Sequence, residues 1–116
     1  MSDFTIYHNP RCSKSRQTLK LLEANNVIPV VVEYLKDVPT AAEVKNLLKK
    51  LDITARNLLR KGEDAYRENK LKDQTLSEDQ LVEAMVKFPK LIERPIVVKG
   101  DKARLGRPPE NVLDLI

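Results

Sequence analysis

The chain has 116 residues, of which 41% are hydrophobic and 4% aromatic, and its formal net charge is +4. This length suits one compact domain, so we expect residues 1–116 to form a single domain. No apolar run approaches the roughly 20 residues that cross a bilayer, and the single cysteine excludes an internal disulfide or a cysteine-type metal centre. We expect a cytoplasmic monomer without a secretory signal, a bound metal or a membrane partner.

The basic charge favours an anionic ligand. With so few aromatic residues, no tryptophan and no run of lysine or arginine, the sequence does not suggest a nucleic-acid surface. A small anion fits this composition better.

The first 34 residues are typical of a βαβ unit with parallel strands. "FTIY" (4–7) predicts a strand and "HNPR" (8–11) a loop, and a helix is expected to begin near Cys12 and run to about Ala24. The β-branched stretch "VVVEY" (30–34) predicts the second strand.

The middle of the chain is predicted to be helical. "TAAE" (40–43) and "SEDQ" (77–80) are capping boxes, each followed by an apolar stripe at helical spacing. Between them, residues 54–70 suggest two short helices broken at Gly62.

The last third returns to strand. "PIVV" (95–98) and "KARL" (102–105) predict a hairpin, and a terminal helix is expected to carry Val112, Leu113 and Ile116 as its apolar residues. The predicted fold is therefore α/β: a four-stranded mixed β-sheet flanked by helices, with a helical insertion at about 40–88 before the C-terminal β-hairpin.

Cys12 is predicted at the entry to the first helix, beyond the C-terminal end of the first strand, where α/β sheets collect ligands. Free amide N–H groups at a helix N-terminus stabilise an anion and so favour the thiolate. Three neighbouring cations, Arg11, Lys14 and Arg16, are expected to stabilise the thiolate further. Ser13 and Ser15 are expected to donate hydrogen bonds to the same sulfur. The alternative is that Cys12 is a small buried hydrophobe.

His8 lies four residues upstream of the cysteine in the same loop. It could orient or deprotonate the thiol, or it could only bind the backbone. A nucleotide-binding loop is excluded because no glycine lies near residue 12. A dithiol motif is excluded by Ser15, and a cysteine phosphatase loop is disfavoured because residue 18 is threonine.

The segments "YHNPRCSKSR" (7–16), "ERPIV" (93–97) and "LGRP" (105–108) together resemble the glutaredoxin-coupled arsenate reductase family. The resemblance implies a thioredoxin-like fold and reduction of arsenate to arsenite, without a bound cofactor. It implies glutathione and glutaredoxin as external reductants. By the same match Cys12 is the nucleophile, and His8 and Ser15 help to set its acidity. The oxyanion-binding residues carried over are Arg60, Arg94 and Arg107.

This chain departs from the family pattern after the cysteine, where "CSKSRQ" replaces the common "CGTSRN". Lys14 is therefore expected at the rim of the anion pocket. Guanidinium groups chelate tetrahedral oxyanions through paired hydrogen bonds, which suits the three arginines. The Arg94–Pro95 bond is a candidate cis peptide beside the thiol. Taken singly, each arginine could equally be an ordinary solvated residue, as expected for Arg56 and Arg67.

A single cysteine cannot resolve its own covalent adduct, so an external thiol is required. Two other functions remain open. One is a thiol oxidoreductase or transferase that uses Cys12 on another substrate. The other is a non-catalytic regulator that resembles these reductases and binds RNA polymerase.

Overall fold

The computed structural model describes residues 3–116, which separate into two compact units. One unit contains the residues up to Asp37 together with Arg94–Ile116, and the other is Val38–Glu93. The second unit contains the expected helical insertion and extends beyond it at both ends. Each unit is described by itself below.

The first unit is built on a four-stranded mixed sheet flanked by helices. Its strands are β1 (Phe4–Tyr7), β2 (Val30–Val32), β3 (Ile96–Lys99) and β4 (Lys102–Leu105), in the order β2-β1-β3-β4. β1 pairs with β2 in parallel, and the other two pairs are antiparallel. The predicted β1, the parallel βαβ unit and the hairpin are confirmed.

Helix α1 (Ser13–Ala24) and a 3₁₀ helix (Pro109–Leu115) complete this unit. Alternate residues of β1 point into its core, because successive side chains of a strand face opposite sides of the sheet. The core combines residues from both central strands and both helices, namely Phe4, Ile6, Leu22, Val97, Val112 and Leu115.

One detail of the sequence prediction was wrong, and another was incomplete. β2 ends at Val32 rather than at residue 34, because Glu33 begins a turn in which its carbonyl accepts hydrogen bonds from the N–H groups of Lys36 and Asp37. The terminal helix is 3₁₀, with three residues per turn, so Val112 and Leu115 share the buried face. Leu113 and Ile116, the other two apolar residues named for this helix, are exposed.

The second unit is helical. It contains α2 (Ala41–Leu51), α3 (Ala55–Leu58), α4 (Asp64–Glu68), α5 (Glu78–Lys87) and a 3₁₀ turn at Pro89–Leu91. Both predicted capping boxes form, at the starts of α2 and α5. The predicted break at Gly62 falls between α3 and α4. The apolar stripes of α2 and α5 supply buried residues, which are Val44, Leu47, Leu48, Leu81, Val82 and Met85.

An isolated antiparallel bridge closes the helical unit near its end. Leu59 pairs with Ile92, the N–H of Arg60 donates to the carbonyl of Leu91 at 2.7 Å, and the N–H of Glu93 donates to Leu58 at 2.9 Å. This bridge fixes the backbone of Arg60 opposite the 91–93 segment. Across residues 3–116, none of the helices has both the length and the apolar character needed to cross a bilayer.

Candidate active site

The loop between β1 and α1 is held by a short set of hydrogen bonds. The N–H of His8 donates to the carbonyl of Val32 at 2.8 Å, and the N–H of Cys12 donates to the carbonyl of Asn9 at 3.0 Å. The Asn9 side-chain oxygen accepts from the N–H of Arg11 at 3.0 Å. Such a turn is typical of asparagine before proline, and it delivers Cys12 to the start of the helix.

Cys12 is the N-cap residue of α1, with an extended backbone (φ −95°, ψ 124°) and a partly exposed side chain. Lys14 and Ser15 are the second and third residues of the helix, so their N–H groups have no intrahelical acceptor and face the cap position. The larger sulfur does not form a close cap hydrogen bond of the kind a serine oxygen makes. The two N–H groups nevertheless stabilise negative charge on it.

The pKa of the Cys12 thiol lies below its ordinary value. Burial is the largest single effect and raises the pKa, but it is outweighed by the N–H of Ser15, by the guanidinium of Arg94 and by the N–H of Lys14. Arg94 acts both as a hydrogen-bond donor to the sulfur and through its charge. The site therefore stabilises the thiolate, the nucleophilic form, relative to that of an ordinary cysteine.

The source of this stabilisation differs in part from the sequence prediction. The amide N–H of Ser15 faces the sulfur, whereas its hydroxyl is used elsewhere, and Ser13 does not contribute. Among the cations, Arg94 stabilises the thiolate, although it lies far from Cys12 along the sequence. The side-chain charges of the sequence neighbours Arg11, Lys14 and Arg16 do not. These three neighbours are exposed, so water screens their charge, and the guanidinium of Arg16 donates to the carbonyl of Pro10 at 2.8 Å.

Ser15 is fully buried and joins two parts of the loop. Its Oγ accepts a hydrogen bond from the N–H of Asn9 at 3.0 Å, and a second hydrogen bond of 2.6 Å joins it to Nδ1 of His8. Burial lowers the pKa of His8, Glu33 opposes this effect, and Arg16 adds to it. The lowered pKa favours the neutral imidazole of His8, which is attached to the first turn of the cysteine helix through Ser15.

Arg94 and Arg107 come together at the start of the hairpin. The pairing of Ile96 with Leu105 places the residues just before β3 beside those just after β4. The N–H of Gly106 donates to the carbonyl of Pro95 at 2.9 Å, and Nη1 of Arg107 donates to the carbonyl of Arg94 at 3.4 Å. The Arg94–Pro95 and Arg107–Pro108 peptide bonds are both cis.

Gly106 is packed too closely to carry a side chain. A Cβ atom there would lie 2.5 Å from Oγ1 of Thr18 and 2.8 Å from Cγ of Pro95. Thr18 is a buried residue of α1, so the loop that carries Arg107 lies directly against the cysteine helix. The structure thus brings Cys12, Arg94 and the Arg107 loop into one region of the sheet unit.

Arg60 belongs to the helical unit, where two carboxylates face its guanidinium. Nη1 donates to Oε1 of Glu93 at 2.9 Å, and Nε lies 3.4 Å from Oε1 of Glu63. Arg56, expected to be an ordinary solvated arginine, instead donates to the carbonyls of Leu71 and Asp73. Within the described range 3–116, no group of three or more His, Cys, Asp or Glu side chains could hold a metal ion.

The model of the ArsC family matches residues 7–115 of the chain. The chain belongs to the ArsC family. This match includes the loop, the cysteine helix, the helical unit and the hairpin with its arginines.

Individual members of the ArsC family are similar over nearly their whole length. The uncharacterized protein YfgD of Escherichia coli K12 is 57% identical over 112 residues, covering 96% of this chain and 94% of YfgD. An arsenate reductase of Haemophilus influenzae is 44% identical over 112 residues, covering 96% of this chain and 97% of that reductase. The solved structure of an arsenate reductase from Vibrio cholerae has a TM-score of 0.95 at 49% identity, covering 97% of each chain. The thioredoxin-like ArsC fold is thereby confirmed.

Several residues of this ArsC site were missed by the sequence analysis. Asn9 could have been found from the Asn-Pro dipeptide, which is typical of a side-chain-stabilised turn. Glu63 could have been found as the i+3 neighbour of Arg60. No sequence signal points to the long-range partners Glu93 of Arg60 and Gly106 of Thr18.

Proposed function

We propose that this chain is an arsenate reductase in which the Cys12 thiolate attacks arsenic and an external thiol completes the reduction. The observation that carries the proposal is the thiol itself, which lies at the N-cap of α1 and is stabilised as thiolate by the Arg94 guanidinium and two amide N–H groups. Arsenate reductases among the relatives support the choice of substrate.

In the first step a bond forms between the Cys12 sulfur and the pentavalent arsenic, and one arsenate oxygen leaves as water after protonation. The guanidiniums of Arg94 and Arg107, with Arg60 by the family resemblance, neutralise the remaining oxygens and the developing charge. Helix amides that stabilise the thiolate also favour the anionic substrate beside it.

Reduction then requires two electrons from outside the chain, because the sequence contains one cysteine. Two external thiol groups supply them and end as a disulfide, while the arsenic bound to Cys12 passes from the pentavalent to the trivalent state. Water then breaks the bond between the Cys12 sulfur and the trivalent arsenic, which releases arsenite and restores the thiol. We propose glutathione and glutaredoxin as these reductants, and a monomer as the active form. Such a reaction belongs in the cytoplasm, where thiols are kept reduced.

His8 and Ser15 are proposed to act on the thiol indirectly. Their hydrogen bond fixes the first turn of α1, and with it the N–H groups that face the sulfur. This role requires no proton transfer from the cysteine to the imidazole.

The test is arsenate-dependent oxidation of NADPH by purified protein with glutathione, glutaredoxin and glutathione reductase. Turnover is expected for the wild type and should be absent in Cys12→Ser. Arg94→Gln should lower kcat/KM and shift the pH dependence of thiol alkylation upward, whereas the control Arg11→Gln, at an exposed residue next to the cysteine, should leave both unchanged. Mass spectrometry after incubation with arsenate should find an adduct confined to residue 12.

Other outcomes would favour the other functions. Reduction of a glutathionylated peptide without arsenate turnover would favour a thiol transferase. Co-purification with RNA polymerase, with no turnover of either substrate, would favour a regulator.

A further inference from the structure

Arg60 is held by two carboxylates that are themselves partly withdrawn from water. The side chains of Arg60 and Glu93 are each 24% exposed and that of Glu63 is 28% exposed. By contrast, the Arg67–Asp64 pair in the same unit is 76% and 78% exposed. Exposed pairs contribute little because water and salt screen them, whereas partly buried pairs are screened less.

The contact between Arg60 and Glu93 is fixed by the backbone as well as by the side chains. The two residues flank the Leu59–Ile92 bridge, and each donates its own N–H across it. Both side chains therefore start from an ordered backbone, so less conformational entropy is lost when they pair. The ion pair and the backbone bridge therefore stabilise the same region of the helical unit.

A guanidinium has two chelating edges, Nη1 with Nη2 and Nε with Nη2, but the Nε atom of Arg60 is buried. Glu93 already accepts from Nη1, and Glu63 faces Nε. The edge that remains for an oxyanion is Nη1 with Nη2, and Glu93 already accepts from Nη1. A paired hydrogen bond to Arg60 must therefore compete with Glu93, while the Glu63 carboxylate near Nε helps to hold the guanidinium in place.

We propose that Glu93, assisted by Glu63, competes with the oxyanion for Arg60 and so limits the affinity of the site. The inference rests on the proposed function, in which Arg60 contributes to oxyanion binding. Glu93 is an affinity-setting residue that acts through Arg60. Its contact with the guanidinium is also the shorter of the two, 2.9 Å against 3.4 Å.

The decisive variant is Glu93→Gln, which keeps a hydrogen-bond acceptor of the same size and removes the charge. Neutral hydrogen bonds are roughly half as strong as charge-assisted ones, so the arginine is released more easily. Inorganic arsenate should bind about three- to tenfold more tightly, measured as protection of Cys12 from alkylation. The KM for arsenate should fall in parallel, and Glu63→Gln should have a smaller effect.

Two further variants separate competition from other causes. Asp64→Asn changes the net charge equally and frees an arginine in the same unit, yet it should leave arsenate affinity unchanged. In an Arg60→Ala background, Glu93→Gln should no longer improve affinity, because no guanidinium remains to be released. A misfolded variant would lose affinity, so a gain cannot come from structural damage.

The outcomes distinguish this inference from the proposed function. Normal arsenate turnover with equal or weaker affinity in Glu93→Gln overturns the competition and leaves the function intact. A gain that persists without Arg60 also overturns it. Tighter arsenate binding by Glu93→Gln in a protein that reduces no arsenate sustains the competition and refutes the function, and arsenate binding by none of these proteins overturns both.

Discussion

Replacing Ser15 by alanine should destabilise the protein far more than a single serine substitution usually does. The Oγ atom lies in a fully buried side chain and serves both the N–H of Asn9 and Nδ1 of His8. Those two residues are only 8% and 6% exposed, so water does not readily replace the lost hydroxyl.

The magnitude follows from the number of polar groups left without a partner. A buried donor or acceptor that loses its hydrogen bond costs about 1–3 kcal/mol. Two such groups give an expected loss of about 2–4 kcal/mol in the free energy of unfolding, after local adjustment of the His8 ring. For a chain of this size that corresponds to a fall in Tm of roughly 8–16 °C.

Urea unfolding measures the loss directly, with a lower midpoint and an unchanged slope. Thiol alkylation provides a second readout. The N–H of Ser15 itself faces the sulfur of Cys12, so loosening this turn should shift the alkylation profile to higher pH.

Ser13→Ala is the matched control, since Ser13 is an exposed residue in the same helical turn and no side-chain hydrogen bond from it is found within residues 3–116. Its effect should stay within about 0.5 kcal/mol. If Ser15→Ala cost no more than Ser13→Ala, the hydroxyl would not be holding the loop, and the proposed indirect role of His8 would fail with it.

Two other predictions follow from burial. Because the pKa of His8 is lowered in the folded state, the unfolded chain binds the extra proton first. This contribution to stability is fully present above the ordinary histidine pKa of about 6.5 and is lost as the pH falls through the lowered folded value. The free energy of unfolding of His8→Gln, measured between pH 7.5 and 5, should lack this loss. Identical pH profiles for the wild type and the variant would contradict the prediction. In the terminal 3₁₀ helix, Val112→Ala should cost about 2–3 kcal/mol in thermal or urea unfolding, because Val112 is fully buried. Leu113→Ala should cost less than about 1 kcal/mol, since Leu113 is 40% exposed, and equal costs would refute the assigned face.

Local sequence signals predicted helices correctly where a short motif, such as a capping box, is strongly associated with one structure. The boxes "TAAE" and "SEDQ" became helix starts with both reciprocal hydrogen bonds formed. Helix α1 runs from Ser13 to Ala24 as expected. These signals depend on neighbours three or four residues apart, which the sequence displays directly.

Local signals failed where a helix type or a side-chain direction was set by packing. Spacing alone does not distinguish a 3₁₀ from an α-helical end, so the sequence did not show which of Val112 and Leu113 would be buried. Ser15 was expected to aim its hydroxyl at the thiol, but His8 and the N–H of Asn9 bind that hydroxyl instead.

The sequence by itself determined that one cysteine follows a strand at the start of a helix, and that an external thiol must complete any redox cycle. Tertiary structure decided which groups lower the pKa of that cysteine. Hairpin pairing brings Arg94 to the sulfur, while the cations beside the cysteine in sequence are exposed and screened by water. Electrostatic stabilisation depends on distance and dielectric rather than on separation along the chain, and only the folded chain fixes both.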